Sequence, residues 1–258
     1  MKLIGSAEHS KKCYCYSIKA WADFDRYPKS RSAMLAVTVA VLLALFSHAE
    51  AGFCCPKTLG QSDNARQIFL DFHNDIRRNI ALGKSLVNFS TGQIVLGPAQ
   101  NMYKLDWDCD LEQKAAQQIA PCTVPLPIDP SLAQNIARWL YYGDSAEEEV
   151  LKQVPWSWVT PSLRFMNGTA LDRFAVQWAE PLANIANWKN RKVGCAFKIC
   201  PAQNNMVVSC VYGSQKLSPN EVIWEKGNTC ECNSYPDSFC CDSLCDTRGA
   251  SSLRHQCC

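Results

Sequence analysis

Between His73 and His255 the chain carries no histidine. Imidazole is the usual base behind a serine or cysteine nucleophile and a common zinc ligand, so the gap removes most hydrolytic and metal chemistry from the middle of the sequence. His73 follows Phe72 in an amphipathic stretch and is read as a structural hydrogen-bonding residue. His255 lies near the end of a polar, cysteine-rich tail and is read as solvated. No G-x-S-x-G, Walker or dinucleotide fingerprint is present. Asp106, Asp108 and Asp110 alternate, but no Gly and Glu follow at EF-hand spacing, and helix capping accounts for them better. No catalytic residue, no cofactor and no metal ligand is assigned.

These residues lie behind a segment that reads as a secretory signal. Ala33–Ser47 is apolar, Lys29 and Arg31 precede it, and Ala49-Glu50-Ala51 supplies an A-x-A cleavage site before Gly52. The run is shorter than the ~20 residues needed to span a bilayer, so no stable membrane insertion is expected after cleavage. About thirty polar residues precede it, and initiation at Met34 would account for them. Residues 1–51 are placed outside the fold. They hold seven of the 26 Lys/Arg and four of the 24 Asp/Glu, leaving 26 − 7 = 19 basic against 24 − 4 = 20 acidic. That balance offers no electrostatic footprint for nucleic acid and no polybasic membrane patch. Of 16 cysteines, Cys13 and Cys15 lie upstream of the signal, and the even remainder reads as an oxidised framework.

Ser62 caps a first helix on which Ala65, Phe69, Phe72, Ile76 and Ile80 recur at helical spacing, with Gly83 as the stop. Residues 84–101 read as a loop. A second helix is expected from Leu111 to Ala120, capped by Asp108 or Asp110. A third opens at Ser145-Ala146-Glu147-Glu148 and ends at Pro155, and a fourth covers Leu171–Trp178. Lys192–Ile199 and Met206–Tyr212 read as strands joined by a turn at Pro201–Asn205. Folding about that turn sets Cys195 opposite Cys210, within reach of a disulfide.

From Gly227 onward seven cysteines crowd among Gly, Ser, Asp and Asn, in a segment too polar to hold a shape without covalent staples. The domains are therefore drawn as 1–51 upstream segment and signal, 52–226 body, and 227–258 tail. Body and tail hold seven cysteines each, so full pairing within one chain requires a bridge between them.

Several blocks resemble the nematode-type secreted members of the CAP superfamily, called Ancylostoma-secreted or venom-allergen-like proteins. They are Phe69-Leu70-Asp71-Phe72-His73-Asn74-Asp75-Ile76-Arg77, Asn101-Met102-Tyr103-Lys104-Leu105-Asp106-Trp107-Asp108-Cys109, Lys192-Val193-Gly194-Cys195-Ala196, Val207-Val208-Ser209-Cys210-Val211-Tyr212 and Gly227-Asn228-Thr229-Cys230-Glu231-Cys232. The resemblance implies an α+β fold, an α-β-α sandwich clamped by disulfides with a small cysteine-rich extension. It also implies a cleft where many members place two histidines and two acidic residues. Here the first carboxylate corresponds to Gln134, one histidine falls within Val124–Asp129, and the other falls at Pro181, or at Gln177 with a gap. The cleft is read as degenerate, and metal is not expected there.

Asn88-Phe89-Ser90 and Asn167-Gly168-Thr169 are N-glycosylation sequons in expected loops. The first functional reading is a secreted, non-enzymatic interaction protein whose partner is an unknown host or extracellular protein. The alternative is carriage of a sterol or fatty acid, for which Pro155–Val159, Phe165, Met166 and Trp178 supply apolar material.

Overall fold

The computed structural model describes residues 52–88, 92–123, 128–143, 146–165, 172–174 and 177–247. The signal segment, Asn167, His255, Cys257 and Cys258 lie outside them, as do Ser90 and residues 124–127.

Helix α1 spans Asp63–Ala81, and Ser62 Oγ accepts the Ala65 N–H at 3.1 Å to close its first turn. Its inward face carries Ala65, Phe69, His73, Ile76, Arg77 and Ile80, all buried. Helix α2 spans Cys109–Ile119. Asp108, not Asp110, is its cap, accepting from the N–H groups of Asp110 and Leu111. Arg66 of α1 donates to both oxygens of Glu112 of α2 at 2.8 Å, and Trp107 Nε1 donates to the same carboxylate. This buried ion pair is fully hydrogen-bonded, the condition for tolerating charge away from water.

Between the helices lies a four-stranded sheet ordered β3–β5–β6–β4, from Asp106–Trp107, Lys192–Cys200, Asn205–Tyr212 and Gln134–Leu140. Only the β3–β5 pair is parallel. On one face Leu111, Ala115 and Ile119 of α2 pack on Ala196, Cys200, Val207 and Val211. The other face meets α1 together with α3 (Glu147–Gln153), α4 (Trp156–Phe165) and α5 (Glu180–Ala186) in the larger apolar core. Gly194 sets the spacing of the α2 layer, since a Cβ there would stand 2.1 Å from the Glu112 nitrogen and 2.5 Å from the Leu111 carbonyl carbon. These layers are the α-β-α sandwich.

Five disulfides join described residues: Cys55–Cys109, Cys122–Cys200, Cys195–Cys210, Cys230–Cys240 and Cys232–Cys245. None of these five crosses from body to tail. The tail hairpin, β7 (Phe239–Cys241) and β8 (Leu244–Asp246), instead docks through Tyr103. Tyr103 is fully buried, its hydroxyl accepts the N–H groups of Ser234 and Tyr235, and its ring meets Tyr235 edge-on. On either side of it, Cys245 N donates to Met102 O and Lys104 N donates to Cys245 O, both at 2.8 Å.

The structure departs from the sequence reading in four places. Residues 84–101, read as a loop, contain a hairpin of β1 (Ser85–Asn88) and β2 (Gly92–Val95). Strand β4 was not anticipated. Pro155 does follow the end of α3, but helix resumes at once as α4. Leu171–Trp178 is not a helix where described: Arg173 bridges Val222, a 3-10 turn covers Gln177–Ala179, and the helix is α5, a few residues later.

Candidate functional site

Helix α1 delivers two polar side chains to the centre of the sandwich, His73 and Arg77, one turn apart and both without solvent exposure. His73 Nδ1 faces the Phe69 carbonyl at 2.7 Å. A carbonyl only accepts, so Nδ1 carries the proton and Nε2 is left as an acceptor. The Tyr212 hydroxyl, 2.9 Å away on β6, donates to it. Burial, with the Arg77 charge beside it, holds the His73 pKa down at about 4, so the ring is neutral and this tautomer is fixed.

The relay continues across the sheet. Asn135 Nδ2, on β4, donates to the Tyr212 oxygen at 2.9 Å and to the Pro181 carbonyl at 2.8 Å. Its own Oδ1 accepts from Asn184 Nδ2 of α5 at 3.1 Å, and Asn190 Nδ2 donates to the Asn184 carbonyl at 2.9 Å. Arg77 closes the arrangement by donating to the carbonyls of Tyr103, Ile185, Asn187 and Asn190, at 2.7 to 3.1 Å. Burial lowers the Arg77 pKa to about 9, which still leaves it charged at neutral pH. Burial raises that of Tyr212, so its phenol keeps its proton. These groups satisfy one another, as a buried polar network must.

The positions implied as ligands by the family resemblance do not converge. Side chains alternate along β4, and Asn135 faces α5 while Gln134 faces α2, where it meets Gln118. Gln118 accepts in turn from Ser209 Oγ at 3.1 Å, and Gln134 Nε2 is buried without an acceptor. Pro181 offers only its carbonyl, already taken by Asn135. A side-chain amide on one face and a backbone carbonyl on the other do not fit a divalent metal. Gln177 lies on the 3-10 turn before α5. One set of potential ligand atoms comes together among the described residues: His73, Cys195 and Cys210, all within 4.8 Å of one another. In the oxidised protein the two sulfurs are bonded to each other at 2.04 Å, the strands pairing Cys195 directly with Cys210, and a disulfide sulfur is not the thiolate that binds metal.

Of the apolar residues quoted for a lipid groove, Trp158 and Val159 belong to the core, while Trp156 and Trp178 are exposed. Trp156 packs edge-on against Phe72 of α1, with ring centroids 5.3 Å apart. Asn88 ends β1 opposite Gly92. No helix among the described residues is long and apolar enough to cross a membrane.

Sequence reasoning took His73 for a structural residue but missed the relay around it. The one available signal was Asn184, Asn187 and Asn190, three asparagines at intervals of three.

Comparison with known proteins shows what the chain is similar to. The model of the cysteine-rich secretory protein family, CAP, matches residues 70–212. The chain is 34% identical over 209 residues to Ancylostoma secreted protein of Ancylostoma caninum, covering 79% of this chain and 47% of that one. It is 23% identical over 215 residues to Venom allergen 5 of Tityus serrulatus, covering 79% and 50%. Among solved structures, Na-ASP-1 superposes with a TM-score of 0.64 at 31% identity, covering 76% of this chain and 48% of that chain. The chain thus spans about half the length of the curated relatives it matches.

Proposed function

This chain belongs to the cysteine-rich secretory protein family, and from that premise we propose that it is an extracellular, non-catalytic binding protein that engages a host or other extracellular protein through its surface. The observation that carries this reading is the closed relay of His73, Tyr212, Asn135 and Asn184. The only described imidazole is spent inside the core, and Gln134 and Pro181 stand on opposite faces of the sheet. A general base must reach a substrate proton directly or through one water, and a fully buried, hydrogen-bonded His73 does not.

The kinship with proteins named as secreted, together with the apolar segment before Ala51, supports export, with residues 52–226 as body and 227–258 as tail. Asn88 and Asn167 are its glycan acceptors. Affinity capture with purified oxidised protein from host plasma and leukocyte membranes tests the binding reading. A saturable partner is expected, and hydrolysis of a peptide, ester or glycan panel that disappears with His73→Gln would overturn it. Zinc titrated into the same oxidised protein, free of any tag, should give no heat at micromolar concentration. Gln134→Glu should not restore binding.

A second reading, carriage of a sterol or fatty acid, rests on Trp156 and Trp178 being exposed, the first of them against Phe72. Retention of labelled cholesterol or palmitate, reduced by Trp156→Ala, would favour it over the first.

A further inference from the structure

We propose that reduction of the Cys195–Cys210 bridge opens an internal zinc site in which His73 and the two freed thiolates are ligands and Tyr212 supplies the fourth. The site is distinct from the cleft positions Gln134 and Pro181. It lies beneath α1, on the facing surfaces of β5 and β6.

Four observations support it. The three ligand atoms already lie within 4.8 Å of one another, and the Tyr212 oxygen is 2.9 Å from His73 Nε2. Zinc takes four ligands in a tetrahedron at ~2.0 Å from nitrogen or oxygen and ~2.3 Å from sulfur, a shell that small shifts of these side chains reach. All four residues stand on regular elements: His73 on α1, Cys195 on β5, and Cys210 and Tyr212 two residues apart on β6, hence on one face. His73 is held as a zinc-binding histidine usually is, its Nδ1–H on the Phe69 carbonyl, and its unprotonated Nε2 accepts from the Tyr212 hydroxyl, the bond that zinc would replace. Charge also balances. The ion and two thiolates sum to zero, which suits a core whose nearest ionised group is the cation Arg77.

The steps close in atoms and electrons. A dithiol reductant gives two electrons and two protons to the bridge and becomes a disulfide, leaving Cys195 and Cys210 as thiols. Zinc then displaces one proton from each sulfur and takes the Nε2 lone pair, and the Tyr212 hydroxyl turns its oxygen from the ring to the metal. Both cysteines are fully buried, so reductant and metal enter through local opening of α1 from the sheet.

The test uses the full-length secreted chain. The protein is reduced anaerobically with dithiothreitol, split into samples with and without zinc, and alkylated with iodoacetamide for increasing times. Peptide mass mapping then reads each cysteine separately. Zinc is expected to slow alkylation of Cys195 and Cys210 at least tenfold while Cys122 and Cys200 react equally with and without it. His73→Gln should abolish the difference. Cobalt in place of zinc should give the intense visible bands of a tetrahedral, thiolate-ligated ion, lost in Cys195→Ser/Cys210→Ser. Equal alkylation with and without zinc would overturn the proposal, whether the reduced chain stays folded or not. So would protection that His73→Gln leaves intact.

Discussion

The body and the tail hold their shapes by different means. In the body, one continuous apolar core joins α1, α4, α5 and the inner face of the sheet, and bridges such as Cys195–Cys210 are added to an interior already closed. In the tail, Leu244 alone reaches into that body core, and the separate buried cluster consists of Tyr103, itself a body residue, with Cys232 and Cys245. Five of the nine described non-glycine residues with positive φ lie there: Cys230, Cys232, Asp237, Asp242 and Ser243. Such backbone costs free energy wherever it occurs, and cross-links plus main-chain hydrogen bonds must hold it. Burial supports a long helix and a sheet. Where burial is scarce, cross-links support turns.

The contrast is open to breakage at several points. Phe69→Ala should have the largest effect, about 3–5 kcal/mol, because it empties the centre of the body core. Thermal unfolding should fall cooperatively, and a cost under about 1 kcal/mol would mean that burial is not what holds the body. Acid should act next, again on the body alone. His73 has a folded pKa of about 4, below the ~6.5 of the unfolded chain, so its contribution is complete above pH 6.5 and is lost as pH falls toward 4. Denaturant titrations of the oxidised protein across that window should lose up to about 3 kcal/mol, and His73→Gln should flatten the loss. The described tail has no histidine, and its amide-exchange protection should not follow this step.

Cys232→Ser removes a bridge that spans 13 residues, worth ~3 kcal/mol in the chain-entropy model, but the cost should fall on tail opening. Hydrogen exchange should rise over 228–246 with the melting temperature of the body nearly unchanged, and a joint collapse would refute the separation. Tyr103→Phe is the mildest test. It removes the acceptor for two half-buried tail N–H groups and should loosen the tail by about 1 kcal/mol, read by the same exchange.

How much of this was legible in the sequence depended on whether a local signal existed. Helices α1 and α2 announce themselves through Ser62, Asp108 and their apolar spacing, and β5 and β6 through runs of Val, Ile, Phe and Tyr. Strand β4 does not. Gln134 and Asn135 are buried polar residues that bond to Gln118, Tyr212 and Asn184, so its apolar alternation is broken where it is most buried. Pro155 was read as a terminator, yet a proline just ahead of a helix start is as compatible with a beginning as with an end. The loop reading of 84–101 followed Gly92, Gly97 and Pro98, which here bound two four-residue strands. The relay was invisible for a deeper reason. Neutral amides have no spacing rule, and the residues joining His73 to Asn190 meet only once the chain is folded.

The main-chain docking of the tail has a consequence for how this protein can change over generations. Gly227 N, Glu231 N and Cys245 N reach the carbonyls of Pro98, Gln100 and Met102, and none of these bonds depends on a side chain. Exposed positions such as Asn228 and Pro236 can therefore exchange one residue for another while the path of the chain stays where it is. Outline and surface chemistry are inherited separately in this region. That makes the tail a place where selection by a partner could rewrite the text of the surface without redrawing its shape.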